Sequence, residues 1–172
     1  MTKDYDYIMD LLAKGSIAEL NDVSKLIDDF PEGKDHFVNR YWIINAIDCG
    51  SQSSIEWMLS KGVSLDFTDE EGQTVLSSAI DRDAADKYKV LEILLQHKAP
   101  INLHGFNDWT AAHLAAARND VNALKLLVKY GADLSIKTRI DSYSTPLEEA
   151  KLLKSQEAIQ YLKSIADGGQ HR

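Results

Sequence analysis

Apolar residues along this chain fall into short helical stripes, each interrupted by a polar pair or a glycine. The clearest stretch is TAAHLAAARNDVNALKLLVKYGADLSI, Thr110 to Ile136. Thr110 can cap a first helix by accepting a bond from an unpaired amide of the first turn. Ala111 to Ala117 is nearly all small, which lets a neighbouring helix approach closely. Asn119-Asp120 break that helix and can cap the next. Val121, Leu124, Leu127 and Val128 then recur at helical spacing and make one apolar stripe. Gly131 follows the Lys129-Tyr130 end, where a left-handed cap suits glycine. Neither helix can bury its apolar face alone, but stacked copies share a continuous core.

The stretch is repeated. YWIINAIDCGSQSSIEWMLSKGVSLDF (Tyr41 to Phe67) aligns with it without a gap: Ala46 under Ala115, Ile55 under Leu124, Met58-Leu59 under Leu127-Val128, Gly62 under Gly131. A third copy runs from Thr74 to Leu103, once three extra residues near Arg82–Lys89 are allowed, and Lys98 stands where the others have Gly. A fourth begins at Thr145 and stops after its second helix. Starts at 41, 74, 110 and 145 give periods of 33, 36 and 35, and the extra length before the last lies in KTRIDSYS (Lys137 to Ser144). The first 36 residues fit less well. They offer two apolar segments around Gly15, the second ending before Pro31, and read either as a degenerate capping repeat or as an unrelated helical hairpin.

These units resemble the ankyrin repeat. That family has a Thr-Pro-Leu-His start, paired Ala, a Leu-Leu pair, then Gly-Ala-Asp and a β-turn finger. Here the best copy has Thr110-Ala111-Ala112-His113, Ala115-Ala116, Leu126-Leu127 and Gly131-Ala132-Asp133, and the last keeps Thr145-Pro146-Leu147 with Glu148 for His. The resemblance implies an all-α ankyrin repeat solenoid of about five helix pairs with β-turn fingers. Its expected divisions are a capping repeat over 1–36, repeats over 37–68, 69–104 and 105–137, a capping repeat over 138–166 and a frayed tail over 167–172. It also implies that His113 bridges backbone groups of neighbouring repeats. Fingers and first helices would line a concave groove that holds a folded protein. By position, that groove takes Arg40, Asp48, Asp69, Glu70, Glu71, Gln73, Asp81 and Arg82, then Phe106, Asn107, Trp109, Ala117 and Arg118, and finally Ser142 and Tyr143.

Charge sharpens this picture. The net charge is −8, and residues 1–90 carry 18 Asp/Glu against 9 Lys/Arg while residues 91–172 carry 9 against 10. The acidic part is either a solvated face that aids solubility or a patch that steers a basic partner. Either way, phosphate-backbone binding is disfavoured, because it needs Lys and Arg. The acidic N-terminus has no long apolar run, so neither a secretory signal nor a membrane span is expected, and the expected location is cytoplasmic.

Candidate chemistry is sparse. Cys49 is the one cysteine and nothing in the sequence places a base or an oxyanion hole beside it. The five His residues are scattered, and no Gly-rich phosphate loop, His-Glu-x-x-His motif or calcium loop occurs. No cofactor or metal is expected, and Asp69-Glu70-Glu71 reads as solvated finger charge. Phe106, Trp109 and Tyr143 fall in fingers. Trp109 either leans on the neighbouring finger or anchors a partner, since aromatics dominate binding hot spots. Trp57 is expected in the stack and Trp42 partly buried. Three function classes follow: a stand-alone inhibitor of the immunity-protein type, monomeric when free, that blocks one basic toxin or enzyme; a general adaptor or scaffold; and, least supported, an enzyme.

Overall fold

The computed structural model describes residues 2–140 and 143–168. Among them lie ten α-helices and no strand: α1 (Thr2–Lys14), α2 (Ile17–Val23), α3 (Trp42–Cys49), α4 (Gln52–Ser60), α5 (Val75–Asp81), α6 (Lys87–Gln96), α7 (Ala111–Ala117), α8 (Val121–Lys129), α9 (Pro146–Leu152) and α10 (Gln156–Gly168). The all-helical expectation of five helix pairs holds. A 3-10 turn spans Phe106–Asp108. Among the described residues no helix is long and apolar enough to cross a membrane.

The chain divides between Ala99 and Pro100 into two compact units. In the first, α1, α3 and α5 pack in one row and α2, α4 and α6 in a second. Their facing stripes supply the core, with Leu12, Leu20, Ile44, Ile55, Met58, Leu76, Leu91 and Leu94 all fully buried. Phe30 sits against both Trp42 (ring centroids 5.2 Å apart, edge-on) and Trp57 (5.7 Å). This aromatic trio fastens the segment after α2 to α3 and α4. Trp57 is in the stack as expected, and its Nε1 donates to Asn21 Oδ1 at 3.1 Å. Trp42 is more deeply placed than expected, at 2% exposure, because Phe30 and the Tyr5 ring cover it.

In the second unit α7 packs on α9 and α8 on α10. Ala111, Ala112, Ala115 and Ala116 are all buried, and it is their size that lets α9 lie close. Leu124, Leu127, Ala150, Ala158 and Leu162 complete this core. α10 continues to Gly168, two residues into the stretch expected to fray; residues 169–172 lie outside the described ones.

Helix starts follow the capping residues. Thr74, Thr110 and Thr145 each form a capping box, with Ser77, His113 and Glu148 reaching back to the cap backbone. Helix ends follow the left-handed position: Gly62 (φ 83°), Lys98 (φ 62°) and Gly131 (φ 89°) occupy the same place in three repeats. The backbone therefore keeps the glycine conformation where the sequence has Lys98, at a steric cost that glycine avoids. Lys98→Gly should stabilise the first unit by up to about 1 kcal/mol, after the entropy of glycine in the unfolded chain is subtracted. A chemical-denaturation midpoint checks this; a lower midpoint would mean the lysine stem contributes packing that outweighs the strain.

Candidate partner-binding site

Each finger is a turn closed by its own polar groups. In the first, Asp35 N donates to Arg40 O at 2.8 Å, while Asp35 Oδ1 accepts from the amides of Phe37 (2.9 Å) and Val38 (2.7 Å) and Oδ2 from Asn45 Nδ2 (2.9 Å). Burial acts to raise the Asp35 pKa, but these donors outweigh it and hold the carboxyl below its ordinary range. In the second finger Asp69 does the same work: Asp69 N donates to Gln73 O at 3.0 Å and its Oδ1 accepts from Glu71 N and Gln73 N. The third closes from Gly105 N to Trp109 O at 2.8 Å, with Asn107 and Asp108 left-handed. The fourth closes from Thr138 N to Ser144 O at 3.0 Å.

In the first unit, five of the residues expected at a partner surface gather around one depression of about 300 Å³. Arg40, Asp48, Gln73, Asp81 and the largely buried Arg82 line it, together with Ser78 and Asp83, which sequence reasoning did not single out. Arg40 Nη2 donates to Asp48 Oδ2 at 2.8 Å. Burial pushes the Asp48 carboxyl above its ordinary pKa, against the lowering effect of that bond. Burial likewise acts to lower Arg40, but the bond to Asp48 prevails and raises it. Two buried polar atoms at this place, Ser78 Oγ and Arg40 Nε, have no hydrogen-bond partner among the described residues. Glu71 and Asp81 are exposed. Glu70 is exposed too, but it is engaged with Lys34 Nζ (3.2 Å) and Asn39 Nδ2 (2.8 Å) of the preceding finger.

Arg82 corrects the expectation. It was expected on the partner surface, yet only 7% of it is exposed. Its guanidinium donates to Ile47 O and Gly50 O and pairs with Asp86. Those carbonyls lie at and just beyond the end of α3, where the helix leaves acceptors unmatched. Arg82 is a structural tie within the first unit. Asp69 also belongs largely to the fold, since its Oδ1 is committed to finger amides.

In the second unit Phe106 and Tyr143 are each 64% exposed, Trp109 is half-buried, and Asn107 and Arg118 are exposed. Ser142 lies outside the described residues. The third finger is stiffened by an ion pair that sequence reasoning missed. Asp108 accepts from the Arg139 side chain and backbone, and His104 Nδ1 lies 3.1 Å from its Oδ1. The Arg139 bond, chiefly, brings the Asp108 pKa down to about 2. Behind the finger, His113 is fully buried. Its Nε2 donates to Ser144 O at 3.0 Å, so Nδ1 is the acceptor for Thr110, 2.8 Å from its Oγ1. Burial lowers the His113 pKa, which suits this neutral tautomer. The bridging role implied by the resemblance is what the geometry shows, and a catalytic role has no exposed atom to act through. Among the described residues no cluster of His, Cys, Asp and Glu could hold a metal ion.

A family model for ankyrin repeats, three copies, matches residues 84–170, just over half of the chain. The chain is an ankyrin repeat protein. An ankyrin repeat protein of Rickettsia bellii is 36% identical over 108 residues, covering 59% of this chain and 62% of that one. The mouse B-cell lymphoma 3 protein homolog is 27% identical over 122 residues, covering 70% of this chain but 25% of its own length. The crystal structure of the Bcl-3 ankyrin repeat domain, a member of the IkappaB family, superposes with a TM-score of 0.60 at 27% identity, covering 72% of this chain and 51% of that one. This ankyrin repeat protein thus spans less than two thirds of each. Ankyrin repeats are protein–protein interaction modules and generally non-catalytic.

Proposed function

We propose that this ankyrin repeat protein is a cytoplasmic inhibitor that binds one folded protein, a toxin or enzyme with a basic surface. What supports the reading best is the depression lined by Arg40, Asp48, Gln73 and Asp81, with Asp83 beside it and two buried polar atoms left without partners. Three carboxylates against two guanidinium groups suit an incoming Lys or Arg side chain. The exposed Phe106 and Tyr143 and the half-buried Trp109 supply apolar contact of the kind that anchors interfaces. The net charge of −8 raises the encounter rate with a basic partner.

The two contributions fail differently when mutated. With the partner purified from the native cell, Trp109→Ala or Phe106→Ala should cost about 2 kcal/mol and act mainly on dissociation. Glu71→Lys with Asp81→Lys should slow association, and the parent's association rate should fall as salt rises. Rate constants at two ionic strengths read both. A partner for which neither pair of variants alters either rate would overturn the proposal. The alternative, a general adaptor, predicts that several unrelated proteins compete for the same residues and that none is inactivated on binding.

A further inference from the structure

The first 42 residues carry a second surface, which takes only His36 and Phe37 from the first finger and nothing from the other three. Tyr7 and Ile8 from α1, Val23 at the end of α2, Leu26 and Ile27 just after it, and Phe37 and Trp42 beyond the turn line a largely apolar depression of about 530 Å³, with His36 its one polar side chain apart from the Tyr7 hydroxyl and the Trp42 ring nitrogen. Its rim is apolar as well: Leu26 is 82% exposed, Tyr7 55% and Phe37 41%, with Val38 next in sequence at 56%. Leu26 is not a stray core residue. The core of this segment is complete without it, formed by Leu11, Leu12, Leu20, Val23 and Phe30, all buried. Large apolar side chains grouped around a concavity mark interaction sites, whereas single ones scattered over a surface do not.

The charge of this segment identifies what fits the depression. Residues 1–36 hold nine Asp/Glu against four Lys. Asp6 adjoins Tyr7, Asp22 adjoins Val23, Asp28 and Asp29 follow Ile27, and all four are exposed. An apolar depression on a segment with five more acidic than basic side chains matches a segment with apolar side chains on one face and Lys or Arg on the other. The volume admits a few large side chains and not a globular surface, and a helix laid in a groove presents such a row. A second copy of this chain would bring another net-negative segment into contact, and an anionic lipid surface would be repelled in the same way.

We propose that this depression is a docking site for a basic amphipathic helix of a protein partner, distinct from the depression lined by Arg40, Asp48 and Asp81. Leu26 and Phe37 grip its apolar face and the net negative charge of residues 1–36 selects its charge. The probe is a synthetic helix about 18 residues long, with Leu on one face and Lys on the other. Three further peptides serve as comparisons: the same composition in scrambled order, Lys replaced by Glu, and Leu replaced by Ser. Binding is measured by calorimetry and located by amide hydrogen exchange.

The periodic basic peptide should protect amides within residues 5–42 and bind at least about tenfold more tightly than each comparison, a factor worth about 1.4 kcal/mol. Leu26→Glu should weaken it about tenfold or more without lowering the melting temperature, since that side chain is almost fully solvated. Leu152→Glu, an exposed residue of α9 in the other unit, should leave binding unchanged. Equal affinity for the scrambled or acidic peptide, protection confined to other residues, or indifference to Leu26→Glu would overturn the proposal. So would a concentration-dependent dimer of the free protein that Leu26→Glu dissolves, because the occupant would then be a second copy. Because the fingers are untouched by these variants, the result does not depend on the partner proposed above.

Discussion

Leu127→Asp should unfold the second unit, or leave it so weakened that little native signal survives at neutral pH. Leu127 is fully buried in α8, against the α7 and α10 helices that pack on it. Truncating a leucine there costs about 2–5 kcal/mol through lost transfer energy and the cavity left behind. Asp adds a second cost, because an unpaired carboxylate has no water or donor in that core and must either remain charged at high cost or take up a proton. Burial raises the folded-state pKa of such a group above its unfolded value near 4. The variant's extra destabilisation is therefore largest at alkaline pH and shrinks as pH falls through the raised folded pKa. Leu127→Ala has no titrating group and should show no such dependence. Urea titrations of both variants at pH 8 and pH 5 test the argument: the two should converge at the lower pH. If Leu127→Asp matches Leu127→Ala at both, water reaches position 127 and the apolar stripe of α8 is not the buried one.

That stripe was legible because it is local. Spacing along one helix, a capping Thr and a glycine at the helix end are each decided within a few residues, and all three recur at the predicted places in α7 and α8. The Lys98 substitution was legible too, and the backbone keeps its left-handed turn there despite the side chain. What escaped the sequence are polar contacts made one repeat away. Lys34 meets Glu70 36 residues on, Arg139 meets Asp108 across 31, and Arg82 reaches Ile47 across 35. Each separation is close to the repeat period, so sliding the sequence against itself by one period could have suggested these pairs. It could not have ranked them, because opposite charges at that spacing are common and only geometry says which side chains turn inward. The depression around Leu26 escaped for a different reason. Its residues sit in apolar runs that look like core, and periodicity does not distinguish a leucine facing the stack from one left over at its edge.

Arg82 is the place where that ambiguity had the largest consequence. Position alone assigned it to a partner, and the structure gives it to the fold. Arg82→Leu should destabilise the first unit by about 2–4 kcal/mol, chiefly because two buried carbonyls lose a charged donor. Three groups lose their donor at once: Ile47 O, Gly50 O and the Asp86 carboxylate, whose Oδ1 lies 2.8 Å from Arg82 Nε. The two carbonyls belong to the end of α3, where a cation also opposes the negative end of the helix dipole. Arg82→Lys keeps the charge but not the planar fork, so it should recover only part of the loss. Arg82→Leu combined with Asp86→Leu should be less destabilised than the sum of the single changes, because the stranded carboxylate is gone. Most of the loss should vary little with salt, since the bonds to the two carbonyls are buried; only the share from Asp86, whose side chain is a third exposed, is screened. A surface residue that met only a partner would behave in the opposite way on every count. Its leucine variant would melt with the parent, and the defect would appear only in binding. Thermal and urea unfolding of the parent, Arg82→Leu, Arg82→Lys, Asp86→Leu and the double variant decides between the two, and an unshifted midpoint for Arg82→Leu would return Arg82 to the partner surface.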